Sequence, residues 1–134
     1  MTEIIIDNGV SDSNFTVLDL SRFTRLRRLE IGNHCMSYVT TVNITGLAEL
    51  ESVTIGINSF TKSKNGVNII PYPDHHFYLK NCPKLKSLKI GHFSFSDYTV
   101  IEIENMDALE EIEFGGFAFY SDSLELKSIF IHSA

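Results

Sequence analysis

The sequence predicts an all-β, single-domain solenoid over residues 1–134, built of four to five weakly curved coils with two short strands in each. Two observations predict this fold. A heptapeptide of one pattern recurs along the chain, and apolar and polar residues alternate within each repeat with the period of two that is typical of half-buried strands. Because no stretch shows helical periodicity, the strands of successive coils are expected to stack into two parallel ladders.

Four segments define the repeat. The distances between their starts are 24, 35 and 24 residues, and 35 is 24 plus 11. The agreement extends past the heptapeptide, since eight positions of the first full unit recur at the same offsets in the third. The chain is therefore a stack of 24-residue coils, one of which carries an eleven-residue insertion. The segments are LRRLEIG, LESVTIG, LKSLKIG and LEEIEFG, beginning at Leu26, Leu50, Leu85 and Leu109.

The first half of each unit is predicted to be a strand that points its second apolar residue and its Ile or Phe inward. The residue between these two then faces solvent, at Glu30, Thr54, Lys89 and Glu113. A glycine ends each strand, and we expect it to take a positive φ there, because glycine does so without steric cost. These glycines are Gly32, Gly56, Gly91 and Gly115.

A bulky apolar residue follows each glycine at one fixed offset. Stacking of the coils aligns these side chains into a continuous interior spine, which accounts for part of the high Phe content of ten residues. The spine residues are Met36, Phe60, Phe95 and Phe119.

The second half of each unit alternates again, in VNIT, FYLK and IEIE, and predicts a second strand on the opposite side of the coil. Its outward positions form a mildly acidic stripe with one aromatic ring. We interpret this stripe as a candidate partner-binding face formed by Asn43, Tyr78 and Glu102, with an ordinary solvated surface as the alternative. The complete stripe is Asp19, Asn43, Tyr78, Glu102 and Glu125.

The two ends of the stack are less regular. Ile4 and Ile6 predict a leading strand one residue out of phase, and LELKSIFI predicts a shortened last turn. Neither end has the polar cap that solenoids need, so self-association through the uncapped ends is expected. If Leu126 opens the last unit, the residue after the first Leu of each unit alternates in charge sign from coil to coil, which supports this alignment of the last unit. Stacked strands lie ~4.8 Å apart, so neighbouring residues of this charge column have opposite charges, and each pair contributes roughly 0.2 to 1 kcal/mol. The column is Arg27, Glu51, Lys86, Glu110 and Lys127.

The inserted residues lie between Thr61 and His76. We expect a projecting loop that carries binding contacts, since loops interrupting a repeat often do. The alternative is a tolerated surface insertion. Adjacent histidines in a loop rarely converge on one ion, so neither a metal site nor a cofactor is predicted. The candidate residues are Tyr72, held between Pro71 and Pro73, with Asp74, His75 and His76 beside it.

Charge and cysteine content narrow the functional classes. A net charge of -6 disfavours binding to nucleic acid, which requires a basic face. Cys35 and Cys82 have neither the spacing of a zinc site nor that of a disulfide framework, so both are expected to be buried. The N-terminal residues resemble neither a signal peptide nor a membrane span. This favours the cytoplasm for the chain as written, and an extracellular or cell-surface location if it is part of a longer secreted protein.

The unit starting at Leu50 resembles the leucine-rich repeat family. Its signature L-x-x-L-x-L-x-x-N-x-L is matched there by Leu50, Val53, Ile55, Asn58 and Phe60. The other units depart from it, since His34, Phe93 and Phe117 occupy the Asn position. The Phe-rich, two-strand form is similar to the irregular short repeats of many bacterial and protist surface proteins. The resemblance implies a solenoid that binds other molecules, without specifying which ones.

No catalytic motif is present, whether a nucleophile elbow, a phosphate-binding glycine loop or a zinc-protease helix. We therefore expect a non-enzymatic module that binds a protein partner, with no membrane insertion. One alternative is an adhesive or structural segment of a larger surface protein. Another is a small-molecule or carbohydrate binder that uses Tyr72 and the histidines beside it.

Overall fold

A computed structural model gives the fold and describes residues 1–67, 69, 72–119 and 124–129. Within these residues, ten strands form two parallel sheets. The first sheet contains β1 (Glu3–Ile6), β3 (Arg28–Ile31), β5 (Ser52–Ile55), β7 (Ser87–Ile90) and β9 (Glu111–Phe114). The second contains β2 (Val17–Asp19), β4 (Thr41–Thr45), β6 (Tyr72–Lys80), β8 (Tyr98–Met106) and β10 (Leu124–Ile129).

Each coil contributes one strand to each sheet, so coil 1 is β1 with β2 and coil 5 is β9 with β10. This confirms the predicted all-β solenoid of about five turns. Among the described residues, helical structure is confined to a short 3-10 turn, Lys64–Gly66, inside the insertion. The predicted offset of the leading strand is also confirmed, since Ile4 pairs with Leu29, 25 positions along, whereas Leu29 pairs with Val53 after 24 (29 − 4 and 53 − 29).

The C-terminal strand corrects one prediction. β10 lies beside β8 in the second sheet, where Leu126 pairs with Ile103 and Lys127 with Glu104. Leu126 therefore does not open a new unit, and Lys127 does not extend the column of Arg27. The placement of Glu125 in the stripe with Glu102 is confirmed. The alternating pattern of LELKSI fits a strand of either sheet. The pattern alone therefore could not show whether this segment belongs to the first sheet or to the second.

Ion pairs on the first sheet side join neighbouring coils. In the predicted charge column, Arg27 and Glu51 form a pair at 2.9 Å. Two further pairs, Lys84 with Glu49 and Lys89 with Glu111, lie at 2.8 and 3.3 Å. All of these groups are substantially exposed, so water screens the pairs and each contributes little to stability. The buried interior must therefore supply most of the stability.

The predicted aromatic spine is confirmed. Phe60 stacks on Phe95 with ring centroids 4.5 Å apart, and Phe95 stacks on Phe119 at 5.2 Å. Phe77 from the second sheet packs edge-on against Phe95 at 4.8 Å. Met36, Phe60, Phe95 and Phe119 are all buried. Rings of successive coils thus form one continuous apolar column between the two sheets.

The glycine column has a different role from the predicted one. Gly32, Gly56, Gly91 and Gly115 do not have positive φ angles. A Cβ on Gly91 would lie 2.5 Å from the carbonyl carbon of Gly56 and 2.7 Å from the amide nitrogen of Ile57. The expectation of a left-handed glycine was wrong at these positions, because the glycines are required by the close approach of successive backbones.

Left-handed backbone occurs instead at two residues after each of these glycines. In coil 3 these are Asn58 and Phe60, both with φ 58°. Left-handed helical backbone costs a residue with a side chain roughly 1 to 2 kcal/mol. Inter-coil hydrogen bonds offset this cost, since the Asn58 amide donates to His92 in the following coil and the Phe60 amide to Cys35 in the preceding one. The same geometry occurs at His34 and Met36, Phe93 and Phe95, and Phe117 and Phe119.

A column of small side chains with hydrogen-bonding groups completes the corners of coils 2, 3 and 4. Ser94 Oγ donates to the Gly56 carbonyl at 2.5 Å and accepts the Ser59 amide at 3.0 Å. Ser59 Oγ in turn donates to the Gly32 carbonyl and accepts the Cys35 amide. We call Cys35, Ser59 and Ser94 the corner ladder. It had no counterpart in the sequence predictions, although its members recur at the offsets of the repeat.

The glycine contacts yield a first prediction. We expect Gly91→Ala to destabilise the fold by about 3 kcal/mol or more, because the new methyl group overlaps backbone atoms that cannot move independently. The control is Gly116→Ala, whose Cβ would approach no atom closer than His92 Nδ1 at 3.4 Å. Urea unfolding measures both variants. Equal stability of the two would contradict the role assigned to this glycine column.

The corner ladder yields a second prediction. Ser59→Ala leaves the partly buried Gly32 carbonyl and the buried Cys35 amide each without a side-chain partner, which should lower the unfolding free energy by about 1 to 3 kcal/mol. Cys35→Ser is the matched control. It replaces the Cys35 thiol, which donates to the Asp7 carbonyl, with the hydroxyl that the ladder has at Ser59 and Ser94, so it should retain the stability of the parent chain in the same urea titration. A loss as large as that of Ser59→Ala would argue against a hydroxyl ladder.

Candidate functional site on the second sheet and the insertion

The insertion packs against the solenoid, in contrast to the predicted projecting loop. Thr61 and Ser63 are buried. The Lys64 ammonium donates to Ser37 Oγ at 2.9 Å, to the Asn58 carbonyl at 2.8 Å and to the Thr61 carbonyl at 2.7 Å. Burial lowers the pKa of Lys64, while the charge of Asp97 opposes that shift. Lys64 therefore fastens the insertion to coil 2, because Ser37 belongs to that coil.

Asn58 also serves the insertion. Its side-chain oxygen accepts the Asn65 amide at 2.7 Å, and its side-chain nitrogen donates to Asn65 Oδ1 at 2.9 Å. Asn58 is the residue at the Asn position of the leucine-rich repeat signature. Here its side chain holds the 3-10 turn in place.

Asp97 in coil 4 anchors both ends of the insertion. Its carboxylate accepts hydrogen bonds from the Thr61 hydroxyl and the Lys62 amide. Its backbone carbonyl accepts the Tyr72 amide at 3.1 Å. The residue is only 1 % exposed, and burial raises the pKa of its carboxyl group. One carboxylate oxygen, Oδ1, is buried without a hydrogen-bond partner among the described residues.

Tyr72 and His75 pack inside this assembly. Their rings stack with centroids 4.5 Å apart, and His75 meets the edge of Tyr98 at 5.1 Å. The His75 side chain is 12 % exposed, whereas that of Asp74 is 81 % exposed. Tyr98 is fully buried and donates its hydroxyl to the Val39 carbonyl, which connects coil 4 directly to coil 2. Of these sequence candidates, only Asp74 faces solvent freely.

A bulge separates these packed residues from the regular part of β6. Tyr72 pairs with Tyr98 and His76 with Val100, so four steps along β6 oppose two along β8. The bulge absorbs part of the insertion and re-aims the strand. From His76 onwards β6 is in register with both neighbouring strands.

The outward side chains of β6 form a connected row. The Tyr78 hydroxyl and His76 Nδ1 are 3.1 Å apart, and their rings stack at 5.6 Å. The Lys80 ammonium lies 4.8 Å from the centre of the Tyr78 ring and donates to Glu102 at 2.6 Å. This hydrogen bond raises the pKa of Lys80. The three side chains of β6 therefore hold one another in fixed positions.

Strand β4 supplies the other half of this surface. Thr41, Asn43 and Thr45 pair with His76, Tyr78 and Lys80 in register. A shallow depression of about 330 Å³ lies between the two strands, lined by the three β4 residues with Tyr78 and Lys80. Its rim is ordered, because Thr45 donates to Asn43 Oδ1 and Asn43 Nδ2 lies 3.4 Å from Asp19. We call Thr41, Asn43, Thr45, His76, Tyr78 and Lys80 the β4–β6 patch.

The structure thus divides the sequence candidates into two groups. Asn43, Tyr78, Glu102 and His76 share one face of the second sheet, whereas Tyr72 and His75 are packed beneath the insertion. Sequence reasoning did not single out Thr41, Thr45 or Lys80 as site residues. Each lies two positions from Asn43 or Tyr78, so the same alternation could have identified them.

Little in this region suggests metal or nucleophilic chemistry. Within the described ranges, no group of three His, Cys, Asp or Glu residues could hold a metal ion. Cys35 and Cys82 are buried, as predicted, and burial raises the pKa of the Cys82 thiol. A thiol of this kind is a poor nucleophile at neutral pH.

Comparison with protein-family models, characterised proteins and solved structures gave no match to this chain. In the part of the chain that the structure describes, no helix has the length and apolar character needed to cross a membrane. Functional inference therefore depends on the surfaces described above.

His75 yields a third prediction. Burial lowers its pKa below 6.5, with the charges of Asp97 and Asp74 opposing the shift, so the fold favours the neutral imidazole. The neutral His75 side chain makes its full contribution to the unfolding free energy above pH 6.5, and this contribution is lost as the pH falls below that value. His75→Phe preserves the aromatic stack and cannot be protonated.

We expect the parent chain to lose stability relative to His75→Phe between pH 7.5 and 5.5. Urea unfolding of both proteins at the two pH values measures the difference. The raised pKa of Asp97 acts in the opposite direction, since it stabilises the fold at low pH and that stability is lost as the pH rises. Because Asp97 is present in both proteins, the comparison measures the contribution of His75 together with its electrostatic interaction with Asp97. A difference that does not vary with pH would contradict the assignment.

Proposed function

We propose that this chain is a non-enzymatic protein-interaction module that binds its partner through the β4–β6 patch. One observation carries the proposal. His76, Tyr78 and Lys80 form a row fixed by a hydrogen bond and a cation–π contact beside a polar depression. Membership of the leucine-rich repeat family, suggested by the motif starting at Leu50, is part of the same proposal.

The fixed positions of these side chains favour binding. Ordering a flexible side chain at an interface costs about 0.5 to 1.5 kcal/mol, and side chains already held in place avoid much of that cost. Tyr78 presents a half-buried ring with its hydroxyl hydrogen-bonded to a neighbour, and tyrosine is enriched among residues that dominate binding energy. The patch lies on the central strands of the sheet, where the backbone is most constrained.

Charge restricts the partner. The Lys80 ammonium lies 2.6 Å from Glu102 and 3.6 Å from Glu104, so two carboxylates surround the single cation of the patch. The surface therefore offers hydroxyl, amide and phenol groups within a mildly acidic surrounding. A polar or weakly basic protein segment suits it better than an acidic one.

The small-molecule alternative has less support. It relied on Tyr72 and the neighbouring histidines, but the Tyr72 ring stacks on His75. A ligand would have to displace this contact to use either ring. The β4–β6 patch requires no such rearrangement.

The fourth prediction tests the patch. Affinity capture from extracts of the source organism, followed by titration with the purified partner, compares the parent chain with Tyr78→Ala. We expect Tyr78→Ala to weaken binding by about 30-fold, equivalent to roughly 2 kcal/mol for the loss of a central aromatic contact. Thr54→Ala is the control, because Thr54 faces outward from the first sheet. Unchanged affinity in Tyr78→Ala would overturn the proposal.

A further inference from the structure

The ammonium group of Lys80 lies in a site that neighbouring side chains build around it. It is 4.8 Å from the centre of the Tyr78 ring, 2.6 Å from a Glu102 oxygen and 3.6 Å from a Glu104 oxygen. The lysine and both glutamate side chains are between 23 % and 30 % exposed, so water surrounds these groups only in part. We call Tyr78, Glu102 and Glu104 the cation seat.

The strand register fixes the groups of the cation seat. Tyr78 pairs with Glu102 and Lys80 pairs with Glu104, across β6 and β8. Both strands lie inside the second sheet, with β4 on one side of them and β10 on the other. Residues two apart on a strand point to the same face. One aromatic ring and two carboxylates therefore meet on a surface whose backbone is paired on both sides.

Two other lysines of the chain have only one half of this environment. The Lys62 ammonium lies 5.2 Å from the centre of the Tyr38 ring, and it has no ion-pair partner among the described residues. The Lys89 ammonium lies 3.3 Å from a Glu111 oxygen, with no aromatic ring beneath it in the described part of the chain. Within these residues, Lys80 alone contacts a ring and carboxylates together.

A ring combined with carboxylates suits a guanidinium group better than an ammonium group. The planar guanidinium of arginine stacks on an aromatic face, donates two parallel hydrogen bonds to one carboxylate and is less strongly hydrated than an ammonium. The Lys80 ammonium is a compact charge that donates to Glu102, while Glu104 is 3.6 Å away. An arginine side chain would therefore use more of the cation seat than Lys80 does.

Lys80 can leave Glu102 and keep an ion-pair partner. Glu104 is its register partner on β8, and the two charged groups are already 3.6 Å apart. A rotation of the lysine side chain towards Glu104 would uncover the face of Tyr78 and allow a second cation to approach Glu102. Displacement of Lys80 therefore requires a change of side-chain rotamer, with the strands left in place.

The surroundings of the cation seat suit a protein segment that presents a basic side chain. The depression of about 330 Å³ between β4 and β6 borders the seat at Tyr78 and Lys80. Its other lining residues offer hydroxyl and amide groups to a peptide backbone. The chain carries a formal charge of -6, which attracts cationic groups. Those other lining residues are Thr41, Asn43 and Thr45.

We propose that the cation seat binds an arginine side chain of the protein partner, and that Lys80 occupies the seat until the partner displaces it. This inference rests on the proposed function, because the seat adjoins the β4–β6 patch and shares Tyr78 with it. Lys80 is an intramolecular competitor for the arginine, so removing its charge should strengthen the binding of arginine.

Titration of the isotope-labelled chain with the capped peptide acetyl-Gly-Arg-Gly-amide, followed by NMR at the backbone amides of Tyr78 and Asn43, tests the cation seat without the partner. We expect Lys80→Met to bind this peptide at least about tenfold more tightly than the parent chain, because the competitor is gone. A peptide with citrulline in place of arginine has the same shape without the charge and should not bind. Adding Tyr78→Leu or Glu102→Gln to Lys80→Met should reverse the gain.

Lys62→Met and Lys89→Met are the matched controls, since they uncover a ring alone and a carboxylate alone. Neither should bind the arginine peptide more tightly than the parent chain. Lys80→Gln replaces Lys80→Met if the latter does not fold, which the dispersion of the amide signals shows. The proposal is overturned if the Lys80 variant gains no affinity, if either control gains as much, or if the citrulline peptide binds equally well.

The partner titration with Tyr78→Ala separates this inference from the proposed function. If Tyr78→Ala weakens partner binding and the Lys80 variant gains no affinity for the arginine peptide, the cation seat is wrong and the β4–β6 patch stands. The opposite pair of results would leave an arginine-binding seat and overturn the patch as the surface that binds the partner.

Discussion

The close contact between successive backbones at the glycine corners is the constraint on which the rest of the solenoid depends. Each glycine allows the next coil to approach until the amides of the following left-handed residues reach carbonyls above and below. The Ser59 and Ser94 side chains of the corner ladder donate to the carbonyls of Gly32 and Gly56. The aromatic spine stacks only because the corners fix the spacing and phase of the coils. Local backbone strain is thus offset by contacts that exist only between repeats.

The insertion is also held in place by contacts with neighbouring coils, although it interrupts the repeat. Thr61 and Ser63 are buried, and the partly buried Lys64 ammonium donates to three acceptors at 2.7 to 2.9 Å. Burying a charged or polar group without such partners would cost several kcal/mol. The insertion therefore fastens coil 3 to coil 2 on the side of the solenoid. Its bulge ends at His76, where the regular outward row of β6 begins. In this way an irregular segment positions the His76 end of the β4–β6 patch.

The sequence predicted the repeat length, the two ladders, the spine and the second-sheet stripe, because each depends on periodic spacing that survives in a single chain. Three features required the structure. The glycine column fits either a left-handed turn or a close contact, and both demand the same residue. LELKSI alternates like either strand of a coil. The polar stretch near Lys64 resembles a solvated loop, since hydrogen-bond satisfaction inside a fold depends on partners such as Ser37 that are distant in sequence.

The Tyr98 hydroxyl, which reaches from coil 4 to the Val39 carbonyl in coil 2, alters the cooperativity of the molecule. In an ordinary solenoid each repeat interacts only with its immediate neighbours, so stability is a sum along one dimension and the ends unravel coil by coil. Here the Tyr98 contact couples coils 2 and 4, which are not adjacent, and Lys64 fastens the insertion of coil 3 to coil 2. We therefore expect coils 2, 3 and 4 to unfold as one unit, in contrast to the coil-by-coil unfolding of a solenoid with contacts between immediate neighbours alone.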